Sequence, residues 1–198
     1  MQKKDNVTIV FGDSITYGLY DKEMCGWVNR VRNKLEKETD NNFIINLGIP
    51  GQKSIDIKNR CEIELKNRYN ETDNFILIYA IGIKDAAILS KGPNHIEILE
   101  ENIKSIIDIT KKYTNNIYFI GLLSPNYKKR KEYTKEDVYY VDTILEKICN
   151  KEKVEYIKMI DKIKEESLVD GLHPNSEGHQ IIAETILDKV YNIRYYNK

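Results

Sequence analysis

The feature that most constrains the fold is a regular alternation of short apolar runs with longer segments of helical spacing. The apolar runs are rich in Val, Ile and Phe and lie at Val7–Phe11, Phe43–Leu47, Phe75–Ile81, Ile117–Gly121 and, more weakly, Val154–Ile157. The helical segments lie at about 24–39, 55–68, 94–112, 134–150 and 176–193. Parallel neighbours in a sheet need a crossover connection, which a helix supplies. We therefore expect an α/β fold: a five-stranded parallel sheet in a three-layer α/β/α sandwich.

The length and charge of the chain limit its organisation and its partners. The 198 residues suffice for one well-buried core and are few for two, so we expect a single domain over 1–198. Lys plus Arg and Asp plus Glu both number 31, which gives a formal net charge of zero. This balance removes the usual electrostatic argument for nucleic acid or an anionic membrane surface. A small-molecule partner is expected instead.

The location of the protein is predicted from its first residues and its cysteines. The apolar run Val7–Phe11 is short and leads directly into a polar motif, so we interpret it as a first strand and not as a signal peptide. No apolar stretch approaches the roughly 20 residues of a membrane helix. Cys25, Cys61 and Cys149 are odd in number and show no paired spacing. These features predict a cytoplasmic protein with reduced thiols.

A candidate nucleophile follows the first predicted strand. The segment Gly12-Asp13-Ser14-Ile15-Thr16-Tyr17-Gly18 places a hydroxyl residue at the corner between strand and loop. Ligands of parallel sheets bind outside the carboxyl ends of the strands, so the Oγ of Ser14 can face a cleft there. A turn or helix cap is an equally good interpretation of this triplet by itself.

A candidate base lies near the other end of the chain. Asp170-Gly171-Leu172-His173-Pro174-Asn175 precedes the last helix and places a carboxylate three residues before a histidine. A serine hydroxyl needs a base to take its proton, and a carboxylate holds the imidazole in the useful tautomer. His173 and Asp170 would supply that pair. The other histidines, His95 and His179, are interpreted as packing or surface residues, since the spacing to His179 matches no metal-binding pattern.

Acyl transfer also needs hydrogen-bond donors for an oxyanion. Two further corners, Asn46–Gly51 and Ala80–Asp85, follow the second and third predicted strands. From these corners we predict an oxyanion hole built by the backbone N–H groups of Ser14 and Gly48 and by the side chain of Lys84. Glycines at such corners also serve simply to allow tight turns.

These blocks together resemble the SGNH (GDSL-like) hydrolases. The resemblance rests on Gly-Asp-Ser near the start, a glycine after strand two, Gly-x-x-Asp after strand three and Asp-x-x-His-Pro near the end, and it spans residues 12 to 174 in the expected order. It implies a flavodoxin-like sheet, serine catalysis and no cofactor. The G-x-S-x-G elbow of the general α/β-hydrolases fits less well, because position 16 is Thr and the glycine comes at 18.

One position departs from the family pattern. The third block of the family usually reads Gly-x-Asn-Asp, whereas this chain has Gly82-Ile83-Lys84-Asp85. Lys84 therefore stands where an asparagine donor is expected. An ammonium can also donate to an oxyanion, but its long stem must be held in place, and it can pair with a carboxylate instead.

The expected activity is that of a serine esterase which forms an acyl-enzyme. Family members include carbohydrate deacetylases, lysophospholipase or thioesterase types and some acyltransferases, and we expect short acyl esters here. Two alternatives stay open: a non-catalytic binding module on the same fold, and acyl transfer to an acceptor other than water. The loop at 122–133, with four basic side chains, is interpreted as solvated or as a contact for an anionic or sugar part of the substrate.

Overall fold

The computed structural model describes residues 4–89, 92 and 94–193. Its five strands are β1 (Asn6–Gly12), β2 (Asn42–Gly48), β3 (Asn74–Ala80), β4 (Ile117–Ile120) and β5 (Glu155–Ile157). Its α-helices are α1 (Ser14–Tyr17), α2 (Trp27–Glu38), α3 (Ser54–Lys66), α4 (Ile83–Ala86), α5 (His95–Lys111), α6 (Lys135–Glu152) and α7 (Ser176–Tyr191). A short 3₁₀ helix spans Glu165–Ser167. The long elements match the predicted alternation, whereas the four-residue helices α1 and α4 were not predicted.

The strands form one parallel sheet in the order β2-β1-β3-β4-β5. This order confirms the predicted α/β fold with a five-stranded parallel sheet. The chain moves outward from β1 in both directions, so the direction of winding switches between β1 and β3. Ligands of such sheets bind at the carboxyl ends of the strands beside that switch. Gly12 of β1 is paired in register with Gly48 of β2 and with Ala80 of β3, so the loops after these strands leave the sheet side by side.

Helices cover both faces of the sheet and create two apolar cores. On one face, Ile9 and Phe11 of β1 pack in a cluster with residues of α3, α5 and α6. On the other face, Val10 packs with Trp27 of α2 and with residues of α7. Alternate residues of β1 thus face opposite layers, as the period of two along a strand requires. The fold is the predicted three-layer sandwich.

Side-chain caps fix where the later helices begin. Thr134 accepts a hydrogen bond at Oγ1 from the N–H of Asp137 at 3.0 Å and begins α6. Asn175 accepts one at Oδ1 from the N–H of Gly178 at 2.9 Å and begins α7. Such caps satisfy N–H groups that have no partner within the helix. The cap at Asn175 ends the Asp170–Pro174 turn two residues after His173.

Candidate active site

Ser14 is the first residue of α1 and lies directly beyond the end of β1. The corner needs a glycine at position 12, because a Cβ there would come within 2.8 Å of the carbonyl oxygen of Ala80. Asp13 caps α1 by accepting the N–H of Ile15 at 2.9 Å. Complete burial raises the pKa of Asp13 to about 6, although the Ile15 N–H and the charge of Lys84 act in the opposite direction. The cap fixes the backbone that carries the Ser14 hydroxyl.

His173 lies on a turn that its own neighbour Asp170 organises. The Oδ1 atom of Asp170 accepts the N–H groups of Leu172 and His173 at 3.0 and 2.9 Å. Gly171 between them has a φ of +85°, a backbone conformation that glycine adopts without strain. The turn leaves His173 buried, with 8% of its surface exposed. The imidazole is thereby directed inward, toward the end of β1.

The structure joins the three residues in one chain of hydrogen bonds. Nε2 of His173 lies 2.8 Å from Oγ of Ser14, although 159 positions separate them in sequence. Nδ1 of His173 lies 2.8 Å from Oδ2 of Asp170. A carboxylate only accepts hydrogen bonds, so an ionised Asp170 requires the proton to be on Nδ1 and leaves the lone pair of Nε2 for the hydroxyl.

Asp170 is held in its ionised form. Partial burial acts to raise the pKa of Asp170, but the backbone N–H and the ring of His173 outweigh it and lower the pKa to about 2. The same Oδ2 atom accepts Nη1 of Arg130 at 3.0 Å. The carboxylate can therefore orient the imidazole throughout the neutral range.

The predicted oxyanion donor Gly48 needs correction. Its N–H donates to Oδ1 of Asn46 at 2.8 Å, so it has no free hydrogen for a ligand. A Cβ at position 48 would lie 2.4 Å from the N of Tyr17, which shows that this glycine is needed where β2 packs under α1. Gly51, in the same corner, is exposed and has a φ of +83°. In the part of the chain that the structure describes, its N–H has no acceptor.

The family pattern matches this chain over most of its length. The model of the GDSL-like lipase/acylhydrolase family matches residues 10–181. The chain belongs to this family. It is therefore an ester-hydrolysing serine hydrolase, as the resemblance implied.

Solved structures share the fold of this GDSL-like hydrolase. The acetyl xylan esterase Axe2 of Geobacillus stearothermophilus, as a tryptophan variant, is 18% identical, covers 100% of both chains and has a TM-score of 0.78. LAE5, an alpha/beta hydrolase enzyme from the metagenome of Lake Arreo, is 16% identical over 97% of this chain and 98% of its own, with a TM-score of 0.77. Other Axe2 structures are of variants called catalytic mutants, in which a histidine, a serine or an aspartate is replaced by alanine. A search of curated proteins returned no match.

The family's third block lies next to the site in this hydrolase. Lys84 is half-buried on α4, and its charge acts on Asp13 and on Glu132. Its neighbour Asp85 has a structural role: its carboxylate accepts the N–H and the Oγ of Ser54, the latter at 2.6 Å. Nδ2 of Asn102 completes this buried network by donating to Oγ of Ser54 at 3.0 Å. Asp85 thus ties the start of α3 to α4, the short helix that carries Lys84.

Two further segments of this GDSL-like hydrolase reach the site: the loop at 122–133, for which a substrate contact was one of two interpretations of the sequence, and the loop after α1, which sequence reasoning did not assign to the site. The basic loop, residues 122–133, packs on the Asp170–Pro174 turn, where the N–H of Asn126 donates to the carbonyl of Gly171 at 2.8 Å and Arg130 contacts Asp170. The loop after α1 brings the ring of Tyr20 to 5.5 Å from the ring of His173, measured between centroids. The only sequence signals were the cluster of basic residues and the closeness of Tyr20 to Ser14 in the chain.

The three cysteines and His179 take no part in the hydrogen bonds that join Ser14, His173 and Asp170. Burial raises the pKa of the Cys61 thiol to about 11 and that of Cys149 to about 12, while Cys25 is exposed. His179, interpreted from the sequence as a packing or surface residue, is fully buried, and its ring hydrogen-bonds the N–H of Trp27 and the carbonyl of Leu19. Within 4–89, 92 and 94–193, no group of His, Cys, Asp and Glu side chains could hold a metal ion. In the same ranges no helix is both long and apolar enough to cross a membrane.

Proposed function

We propose that this chain hydrolyses short acyl esters through a Ser14–His173–Asp170 triad and an acyl-enzyme. The observation that carries the proposal is the unbroken pair of 2.8 Å contacts from Ser14 Oγ to His173 Nε2 and from His173 Nδ1 to Asp170 Oδ2. The aspartate and histidine that are replaced in the Axe2 catalytic mutants are also three positions apart. That spacing is the one between Asp170 and His173.

The reaction follows from the roles that this geometry allows. His173 Nε2 takes the proton of Ser14 as Oγ attacks the ester carbonyl carbon, and Asp170 stabilises the imidazolium. Collapse of the tetrahedral intermediate breaks the bond to the alcohol, whose oxygen receives that proton. Water then attacks the acyl-enzyme, gives its proton to His173 and releases the acid with a free Ser14 hydroxyl.

We infer that the oxyanion is bound by the N–H groups of Ser14 and Gly51, with Lys84 as a third donor. Neither N–H donates a hydrogen bond elsewhere among the described residues. The loops that carry them leave β1 and β2 side by side, and the N–H of Ile49 donates to the carbonyl of Gly12 at 3.0 Å. Backbone donors fixed in this way need no reorganisation when the charge develops.

The apolar space near the nucleophile supports a short acyl group. A cavity of about 40 Å³ lies beside Asp13 and Ile15 and is lined mainly by apolar side chains, among them Trp27, Ile83 and Leu122. We propose that the acyl group enters this cavity, which is lined by the residues on either side of Ser14 and not by Ser14 itself. At roughly 10–15 Å³ for each water-sized group, its volume holds about three heavy atoms and no long chain, so the proposed substrates are acetyl or similar esters.

The first test is covalent labelling of Ser14. A fluorophosphonate loses fluoride to an activated serine, and we expect intact-mass spectrometry to find one adduct on the wild type and none on Ser14→Ala. His173→Ala should slow labelling about 10³-fold or more, because the hydroxyl loses its base. Absence of an adduct on the folded wild type would contradict the proposal and favour a ligand-binding module on the same fold.

Lys84 is tested separately by kinetics on an acetate ester. If its ammonium binds the oxyanion, Lys84→Ala lowers kcat/KM about 10²-fold and Lys84→Asn, which restores the family residue, recovers most of the loss. A change of less than about twofold in Lys84→Ala would remove Lys84 from the oxyanion hole and leave the two backbone donors. Lys128→Ala, an exposed lysine on the basic loop, is the matched control.

A further inference from the structure

Tyr20 presents an exposed aromatic ring next to the imidazole of His173. The side chain is 46% exposed, and its ring plane is tilted by 55° from that of His173 at a centroid distance of 5.5 Å. Exposure alone assigns no role, because other tyrosines of the chain, such as Tyr140, are at least as exposed. What distinguishes Tyr20 is that its exposed ring contacts the imidazole of His173.

The backbone of Tyr20 is strained and is held in that state from both sides. Its φ is +66°, which costs a non-glycine residue on the order of 1 kcal/mol. On one side, the carbonyl of Leu19 accepts Nε2 of the buried His179 at 3.1 Å. On the other, the carboxylate of Asp21 accepts Nε of Arg30 and Oγ of Ser176, both at 2.8 Å. The backbone that carries the ring is thus fixed on both sides of Tyr20.

The protonation of His179 agrees with this arrangement. The N–H of Trp27 donates to Nδ1 at 3.2 Å, so Nδ1 carries no proton and Nε2 donates to Leu19. Burial lowers the pKa of His179, which keeps it neutral. A neutral buried histidine thus serves as a fixed support for the loop that carries Tyr20.

The chemistry of the proposed reaction decides which part of an ester meets Tyr20. His173 returns the proton to the leaving oxygen, so the alcohol half of the ester must lie against the imidazole. The oxyanion donors act on the carbonyl oxygen, away from that proton. A ring that contacts His173 therefore borders the alcohol half, not the acyl half.

Tyr20 also lines an open groove whose lining is partly apolar and partly polar. The groove has a volume of about 460 Å³; Val169 adds an apolar surface to it, and its polar side chains are those of Lys22, Glu23, Asn175, Ser176 and Glu177. One aromatic face among side chains that donate and accept hydrogen bonds fits a sugar ring, which has an apolar C–H face and a rim of hydroxyl groups. Glu23, Asn175 and Glu177 each accept one hydrogen bond within the protein, and their remaining lone pairs can accept sugar hydroxyl groups, which an alkyl chain lacks.

We propose that Tyr20 is a specificity-determining residue that stacks on the sugar ring of an acylated pyranoside, which occupies the groove as the alcohol half of the substrate. This inference rests on the proposed function and names its substrate class. Tyr20 takes no part in the proton transfers. Its removal is expected to raise KM for sugar esters and to leave the triad intact.

The test compares two acetate esters that differ only in the alcohol: a monoacetylated methyl pyranoside and ethyl acetate. For Tyr20→Ala we expect kcat/KM to fall about 10-fold on the sugar ester, mainly through KM, and to change less than about twofold on ethyl acetate. Tyr20→Phe keeps the ring and should stay within about twofold on both. Tyr140→Ala removes a similarly exposed ring from α6, 53% exposed, and is the control.

Each outcome separates this inference from the proposed function. Equal losses on both esters would mean that Tyr20 only supports His173, and no loss on either would mean that it does not bind the alcohol; both results would overturn the inference. A wild type that hydrolyses ethyl acetate but not the sugar ester would also overturn it. Fluorophosphonate labelling of Tyr20→Ala at the wild-type rate shows an intact triad, whereas an unlabelled, inactive wild type would overturn both proposals.

Discussion

Arg130 contacts the proposed triad only through Asp170, so any effect it has on the reaction would pass through that carboxylate. Its Nη1 donates at 3.0 Å to the oxygen that also accepts the ring of His173, and its other contacts are to the carboxylate of Glu132. Arg130 thus adds one donor at Oδ2, while the two N–H groups of Leu172 and His173 hold Oδ1 of the same carboxylate.

Loss of this hydrogen bond has a predictable effect on the rate. In Arg130→Met, Oδ2 of Asp170 loses one donor while the two N–H groups on Oδ1 remain, so we expect kcat/KM on a small acetate ester to fall about 10-fold. Initial rates followed by pH-stat titration of the released acid give the comparison. Arg130→Lys keeps a donor and should lose less, and Lys128→Met on the same loop is the control. An Arg130→Met enzyme as fast as the wild type would show that the N–H groups on Oδ1 hold Asp170 without Arg130.

At the scale of elements, the strands could be predicted because a strand that is buried on both faces is a short, continuous run of apolar residues. β1 and β3 are central and covered on both faces, so they appear as continuous apolar runs. The helices α1 and α4 were not predictable, since four residues are too few for a hydrophobic period to be seen. Both nevertheless carry candidate site residues, Ser14 and Lys84.

The candidate triad was predictable because its residue types and spacing are chemically restrictive, whereas the surroundings depend on contacts between distant parts of the chain. Nothing near Tyr20 in sequence indicates His179, whose ring fixes Leu19 from 160 positions away. Whether Gly48 or Gly51 offers a free N–H to an oxyanion depends on one hydrogen bond, which the N–H of Gly48 donates to Oδ1 of Asn46. A pattern of glycines in the sequence cannot reveal that hydrogen bond. Arg130 was visible only as one of several basic residues.

At the scale of the whole molecule, Asp21 joins the beginning of the chain to its end. Its carboxylate has no exposed surface and accepts hydrogen bonds from Arg30 of α2, from Ser176 of α7 and from the N–H of Gly26. Burial acts to raise the pKa of Asp21, but these hydrogen bonds outweigh it and hold the pKa well below its ordinary value. The folded protein therefore favours the ionised carboxylate more strongly than the unfolded chain does.

This difference fixes both the size and the pH dependence of the stability that Asp21 contributes. Asp21→Asn leaves the guanidinium of Arg30, 10% exposed, without its buried partner, so we expect a loss of about 3 kcal/mol in the free energy of unfolding at neutral pH. A group whose folded pKa is depressed contributes fully above its unfolded pKa, and the contribution fades as pH falls through the folded value. Urea unfolding should therefore show the full difference in the free energy of unfolding between wild type and variant at neutral pH and a smaller difference below about pH 4.

Glu23→Gln is the matched control, because Glu23 also pairs with Arg30 but is 68% exposed, and it should cost less than about 1 kcal/mol in the free energy of unfolding. A gap between wild type and Asp21→Asn that stays constant across this range would show that the stability comes from packing of the loop and not from the charge of Asp21.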